Sequence, residues 1–184
     1  MLARSGRYYI KQAEIETHIT VKFIIDSSKS MLHEEEGLTK MNYVRILVAS
    51  LGYLAQRQGD AIGLFALNEA KLYALDPSVH KQQYNRFLQE LITIENTGKW
   101  PVDPKSLEKL HQRGQKELVF FVTDMHEHAS ELLQWVKRLK TKRNEVVLLH
   151  IMGAKELEFD YKGQLIFEDL ELGTKLKVDT KQAK

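Results

Sequence analysis

Val21-Lys22-Phe23-Ile24-Ile25-Asp26-Ser27-Ser28-Lys29-Ser30-Met31 decides the fold: the apolar run from Val21 to Ile25 reads as a buried strand whose carboxyl end opens into a D-x-S-x-S loop. In an open α/β sheet, ligand sites gather outside the carboxyl ends of the strands. An extended or tightly turned loop there directs alternate side chains toward one point, so Asp26, Ser28 and Ser30 present one carboxylate and two hydroxyls together. Such an all-oxygen set suits a hard divalent cation, Mg2+ or Mn2+, better than zinc or copper, which prefer nitrogen and sulfur. The same residues also suit a turn in which Asp and Ser cap the backbone, and spacing leaves both readings open.

Outward from this stretch the periodicity alternates between strand and helix. His18 to Ile25 reads as a strand. Met41, Val44, Leu47, Val48, Leu51, Leu54 and Ala55 recur at helical spacing, which predicts an amphipathic helix from Lys40 to Gln58 ending near Gly59. Ala61 to Leu67 and Lys71 to Leu75 read as an antiparallel hairpin. Pro77 and Ser78 are expected to open a second helix with Tyr84, Phe87, Leu88, Leu91 and Ile92 inward, and Lys105 to Gln112 a short one. Glu117 to Thr123 and Val146 to Met152 read as buried strands, separated by a helix capped by Ser130 and carrying Leu132, Leu133, Val136 and Leu139. The expected fold is therefore α/β: a doubly wound, mostly parallel sheet with helices on both faces and one antiparallel edge hairpin. Asp124 then falls at the end of a buried strand, on the edge that carries Asp26. Its bland alternative is a turn or cap carboxylate ahead of the following helix.

Composition narrows the function. With 184 residues, 43% of them hydrophobic, the chain can bury a full core as one domain. Cysteine is absent, which removes thiolate catalysis, cysteine-ligated zinc and disulfides, and fits a cytoplasmic location. The runs Leu118 to Val122 and Val146 to Leu149 fall far short of the roughly 18 residues of a membrane span. A formal charge of +2 gives no general attraction to nucleic acid, and the cations Lys137, Arg138, Lys140, Lys142 and Arg143 read as complementing a helix dipole. Glu34-Glu35-Glu36 reads as a solvated loop. No phosphate-binding glycine loop of the G-x-x-x-x-G-K or G-x-G-x-x-G type occurs in the sequence.

Several motifs in order carry a resemblance. Arg7-Tyr8-Tyr9-Ile10-Lys11, Glu14-Ile15-Glu16-Thr17, Ile24 to Met31 and Gln58-Gly59-Asp60-Ala61-Ile62-Gly63-Leu64 are followed by His150, Glu156-Leu157-Glu158-Phe159 and Phe167-Glu168-Asp169-Leu170-Glu171-Leu172-Gly173. Together they resemble a bacterial family with a von Willebrand factor A-like domain, domain of unknown function 58, over nearly the whole chain. The resemblance implies a Rossmann-type sheet. It divides the chain into residues 1–17, the end of an upstream segment, 18–179, the von Willebrand A-like domain, and 180–184, a tail. Members usually carry a G-D-x-x-R-x-I-D-W-like element upstream, so a longer natural protein is expected.

Carried over from the von Willebrand A pattern, Asp26, Ser28 and Ser30 match the first motif of a metal-ion-dependent adhesion site, and Asp124 its last acidic ligand. The middle threonine, usually within a G-x-T element, is missing: on Thr97-Gly98-Lys99-Trp100-Pro101 the alignment puts Trp100 there. Thr97 is the substitute ligand to test. Trp100, in a Pro-flanked loop, is either an exposed partner anchor or a core residue.

A cation held by two carboxylates and neutral hydroxyls attracts an external carboxylate, so an acidic protein ligand is expected. The family's association with MoxR-type AAA+ ATPases implies an adaptor in protein assembly or maturation, and no enzyme. A metal-dependent hydrolase of phosphate esters is the alternative, with Asp26 and Asp124 as ligands and His126, of the His126-Glu127-His128 pair, as base. A scaffold with a vestigial site is a third reading.

Overall fold

The computed structural model describes residues 18–101, 116–126, 131–158 and 164–179. Strand β1 (Thr20–Asp26) is buried along its whole length and lies at the centre of a five-stranded sheet. It runs parallel to β4 (Ala61–Leu67), from Thr20 opposite Ala61 to Asp26 opposite Leu67, and parallel to β6 (Glu117–Thr123) on its other side. The outer strands are β5 (Leu72–Ser78), antiparallel to β4, and β7 (Asn144–His150), parallel to β6. The order β5-β4-β1-β6-β7 reverses between β1 and β6, the topological switch point where a doubly wound sheet opens a crevice. Asp26 and Asp124 sit at the ends of those two strands.

Alternation along β1 builds two cores. Val21, Phe23 and Ile25 face helices α1 (Lys40–Arg57) and α2 (Gln83–Thr93), meeting Met41, Val44, Val48, Phe87 and Leu91. Ile24 faces the other side, with Phe65, Phe121, Leu132, Trp135 and Leu139, the last three on helix α3 (Glu131–Leu139). Lys22 interrupts this apolar strand. It is buried with its ammonium 2.7 Å from Glu117 Oε1, so the charge that the sheet swallows is paired.

Three expectations change. Pro77 and Ser78 belong to β5, and α2 begins at Gln83. An outer strand tolerates a proline, which has no amide to donate, and Gly63 across the register shift makes room, since a Cβ there would stand 2.7 Å from Pro77 Cγ. Ile92 is 72% exposed because Phe87 and Leu91, four apart, already define the inner stripe of α2; Leu54 on α1 is likewise exposed. The strand expected at Val146 to Met152 spans Asn144–His150, and as the last strand of the sheet it leaves Leu148 exposed. Expectations for residues 1–17, Lys105 to Gln112, Ser130 and residues 180–184 lie outside the described residues.

Past β1 the chain makes one 3-10 turn (Lys29–Leu32) and a short hairpin, β2 (Glu34–Glu35) and β3 (Leu38–Thr39). After β7 come α4 (Ala154–Glu158) and a separate antiparallel pair, β8 (Gln164–Glu168) and β9 (Lys175–Asp179). No helix among the described residues is long and apolar enough to cross a membrane.

Candidate functional site at the carboxyl edge

Asp26 is 0% exposed. Its Oδ1 accepts the Ser28 amide at 2.9 Å, an Asx turn that fixes the loop, and its Oδ2 accepts the Thr123 hydroxyl at 2.7 Å. Burial pushes the Asp26 carboxyl up to about 6; the Ser28 and Thr123 hydrogen bonds pull the other way, and the Asp124 charge adds to the rise.

A relay of hydroxyls joins the two strand ends. Ser30 Oγ donates to Asp124 Oδ1 at 3.1 Å, so the 2.9 Å contact between Ser28 Oγ and Ser30 Oγ has Ser28 as donor. Asp124 Oδ1 also accepts the His126 amide at 3.2 Å. Met125, between them, has a positive φ of 58°, an uncommon conformation for a non-glycine residue. Thr123 Oγ1 holds its amide at 3.0 Å, and the His150 ring meets Asp124 O at 3.1 Å. A carbonyl only accepts, so His150 Nε2 carries the proton.

The other Asp124 oxygen is taken by a cation of the chain itself. Lys40 Nζ donates to Asp124 Oδ2 at 3.1 Å and to Glu156 at 2.9 Å, and Lys40 is 9% exposed. Burial raises the Glu156 carboxyl, but the Gly153 amide at 2.8 Å and the Lys40 ammonium outweigh it, leaving the group below its ordinary range. Glu35 ties in the hairpin by accepting the Ala154 and Lys155 amides. Beside Lys40 lies a recess of about 500 Å³ lined by His33, Glu35, Leu38, Tyr43, Leu149 and Met152.

The structure brings Asp26, Ser28, Ser30 and Asp124 together as the sequence suggests. Thr97 enters only through its backbone: its amide donates to Ser27 O at 3.1 Å, and the residue is exposed. Neighbouring contacts from Asn96 Nδ2 to Ser28 O and from the Lys29 amide to Gly98 O brace the same loop. Trp100 is not a surface anchor. It is 6% exposed, packed edge-on against Phe121 and Trp135 with ring centroids 5.3 and 5.0 Å away, because the second core claims its apolar area. His126 is exposed, 3.8 Å from Asp169 Oδ1, and His128 lies outside the described residues.

Lys40, Thr123, the contact of His150 with the Asp124 carbonyl and the partnership of Glu156 with Lys40 escape a sequence reading. Lys40 left one signal: it is the first residue of α1, where the helix dipole disfavours a cation, so its place needs another reason.

A divalent cation fits this set by distance and not by charge. Ligands of an octahedral ion at about 2.1 Å stand roughly 3 Å apart, matching the Ser28–Ser30 and Ser30–Asp124 spacings of 2.9 and 3.1 Å. But each Asp26 oxygen already accepts a hydrogen bond inside the protein and burial makes its carboxyl costly to ionise, while Asp124 Oδ2 is held by the Lys40 ammonium, whose charge a dication would oppose. As arranged, the residues do not fit a resident metal ion. Among the described residues no cluster of three or more His, Cys, Asp or Glu side chains adds a stronger ligand set.

The doubly wound sheet, with a D-x-S-x-S loop and a second aspartate across its switch point, has a von Willebrand A-like fold. Solved structures agree on the fold: the conserved hypothetical protein BatB from Bacteroides thetaiotaomicron (TM-score 0.59, 17% identity, 88% of this chain and 80% of that one), the SpRpn10 VWA domain (0.55, 16%, 77% and 79%), and the manganese-loaded TRAP protein of Plasmodium vivax (0.50, 14%, 79% and 61%). The chain belongs to the family described as protein of unknown function DUF58, whose model matches residues 1–184. No curated protein matches it.

Proposed function

We propose that the chain is a non-enzymatic protein-interaction module that docks its partner at the carboxyl edge of the sheet, and that it works in the cytoplasm as an adaptor for a MoxR-type AAA+ ATPase in assembling or maturing other proteins. One observation carries the docking site: the polar groups at the edge are spent on one another. Both Asp26 oxygens accept from the chain, Ser28 and Ser30 pass their protons toward Asp124, and His150 donates to the Asp124 carbonyl. Hydrolysis calls for the reverse, a base with a free lone pair set against a nucleophile. A pre-ordered, buried polar cluster that fixes the shape of the edge, beside a recess with Leu38, Tyr43 and Met152 exposed, suits recognition of a protein surface. The choice of ATPase rests on the family resemblance alone.

The test is copurification of the full-length protein with a MoxR-type ATPase, once in Mg2+ and once in chelator. A complex that Ser28→Ala/Ser30→Ala weakens supports the proposal, and no complex under either condition refutes it. A phosphatase and nuclease screen with Mn2+ tests the non-enzymatic half. Turnover that Asp26→Ala abolishes would replace the adaptor with the hydrolase.

A further inference from the structure

We infer that Lys40 is a built-in cation: its ammonium supplies at the carboxyl edge the positive charge that a divalent ion would bring, so the site is assembled without metal and excludes metal while Lys40 is in place. The inference rests on side-chain geometry and is independent of the adaptor reading.

Four observations converge on it. The oxygens that match an ion's ligand spacing, Ser28 Oγ, Ser30 Oγ and Asp124 Oδ1, are joined to each other at 2.9 and 3.1 Å, and the remaining Asp124 oxygen holds Lys40 Nζ at 3.1 Å. A dication entering this set would share one carboxylate with an ammonium, and like charges that close repel. Second, Lys40 is fixed. Its side chain is 9% exposed, Glu156 binds the ammonium from the other side at 2.9 Å, and the Gly153 amide holds Glu156 in turn at 2.8 Å. Third, Lys40 stands at the start of α1, immediately after Thr39, whose Oγ1 accepts the Asn42 amide at 3.1 Å. A cation there opposes the helix dipole, and the two carboxylates are what offset it. Fourth, Asp26 does not supply a second open carboxylate, since both its oxygens are engaged inside the protein.

The chain thus carries the oxygen scaffold of a cation site together with a tethered occupant for its charge. Removing the ammonium should convert the scaffold into a working metal site. A lysine serves this end because its single charged nitrogen forms three hydrogen bonds in any direction, and it has the reach to cross from α1 to the strand end.

Mn2+ binding to the full chain, followed by the electron paramagnetic resonance signal of the free ion and by melting temperature, tests this directly. The wild-type protein should show no Mn2+ site that Ser28→Ala/Ser30→Ala removes, up to millimolar ion. Lys40→Met should bind one Mn2+ at least about tenfold tighter than wild type, with a rise in melting temperature that a second substitution, Asp124→Asn, abolishes. Lys40→Gln, which keeps a donor near Asp124 without the charge, should do the same and serves if Lys40→Met does not fold. A wild-type Mn2+ site that depends on Ser28 and Ser30 overturns the inference. So does a folded, uncharged Lys40 variant that binds no better than wild type. Neither outcome touches the adaptor proposal, which is read by partner binding.

Discussion

Lys40 Nζ stands 3.1 Å from Asp124 Oδ2 across 84 residues of sequence, joining the start of α1 to the end of β6. With Glu156 on its far side, this one ammonium also ties in α4 and, through Glu35 on the Ala154 and Lys155 amides, the β2–β3 hairpin. The carboxyl edge is therefore a single charged assembly. Asp124→Ala leaves Lys40 nearly buried against one partly exposed partner and should cost about 3 kcal/mol. Glu156→Gln, at a more open position, should cost under about 1 kcal/mol. Urea denaturation of both variants checks the order, and equal losses would contradict it.

Asp26 gives stability a pH dependence of unusual sign. Burial raises its carboxyl from 3.8 to about 6 in the folded protein. Between those values the folded state holds a proton that the unfolded chain has released, so this group's contribution falls as pH rises through the window and is flat above it. The total change is on the order of 2–3 kcal/mol. Asp26→Asn removes the titration, so the wild-type minus variant stability should drop between pH 4 and pH 6 in roughly that amount. Parallel stability curves would show that Asp26 ionises at its ordinary value.

Trp100 is a core residue, and its removal should report on stability alone. Trp100→Ala empties the space between Phe121 and Trp135 and should cost about 3–5 kcal/mol. Partner binding measured below the melting transition should be unchanged. Loss of binding in a folded Trp100→Phe protein would return this residue to the interface.

Gly98 braces the site from behind. It has φ of 57°, its carbonyl accepts the Lys29 amide at 2.9 Å, and a Cβ at this position would run into the Glu69 side chain. Gly98→Ala should destabilise by roughly 1–3 kcal/mol in urea denaturation. Adding Glu69→Ala should recover the steric part only. Full recovery would mean that the backbone conformation costs nothing.

The sheet was legible because β1 and β6 are apolar on both faces, a pattern that a parallel interior strand requires, and because Asp26 and Asp124 each end such a strand. The helix α1 was legible through its 3.6-residue period, which sets Met41, Val44 and Val48 on one buried stripe. What was not legible depends on contacts distant in sequence. Pro77 looks like a helix opener until β4 is seen to offer Gly63 opposite it. Trp100 looks like a loop residue until Trp135, from another element, closes over it. Lys22 looks like a break in a buried strand until Glu117 answers it. Lys40 belongs with these, since its meaning lies in Asp124 and Glu156, 84 and 116 residues away.

The most direct measurement is the affinity of the full-length protein for a purified MoxR-type ATPase, by calorimetry in chelator, for wild type and for Ser28→Ala/Ser30→Ala. Docking at the carboxyl edge predicts binding that survives the chelator and weakens at least about tenfold in the variant, a loss of roughly 1.4 kcal/mol. Equal affinity of the two proteins, with the variant shown to be folded, would contradict it.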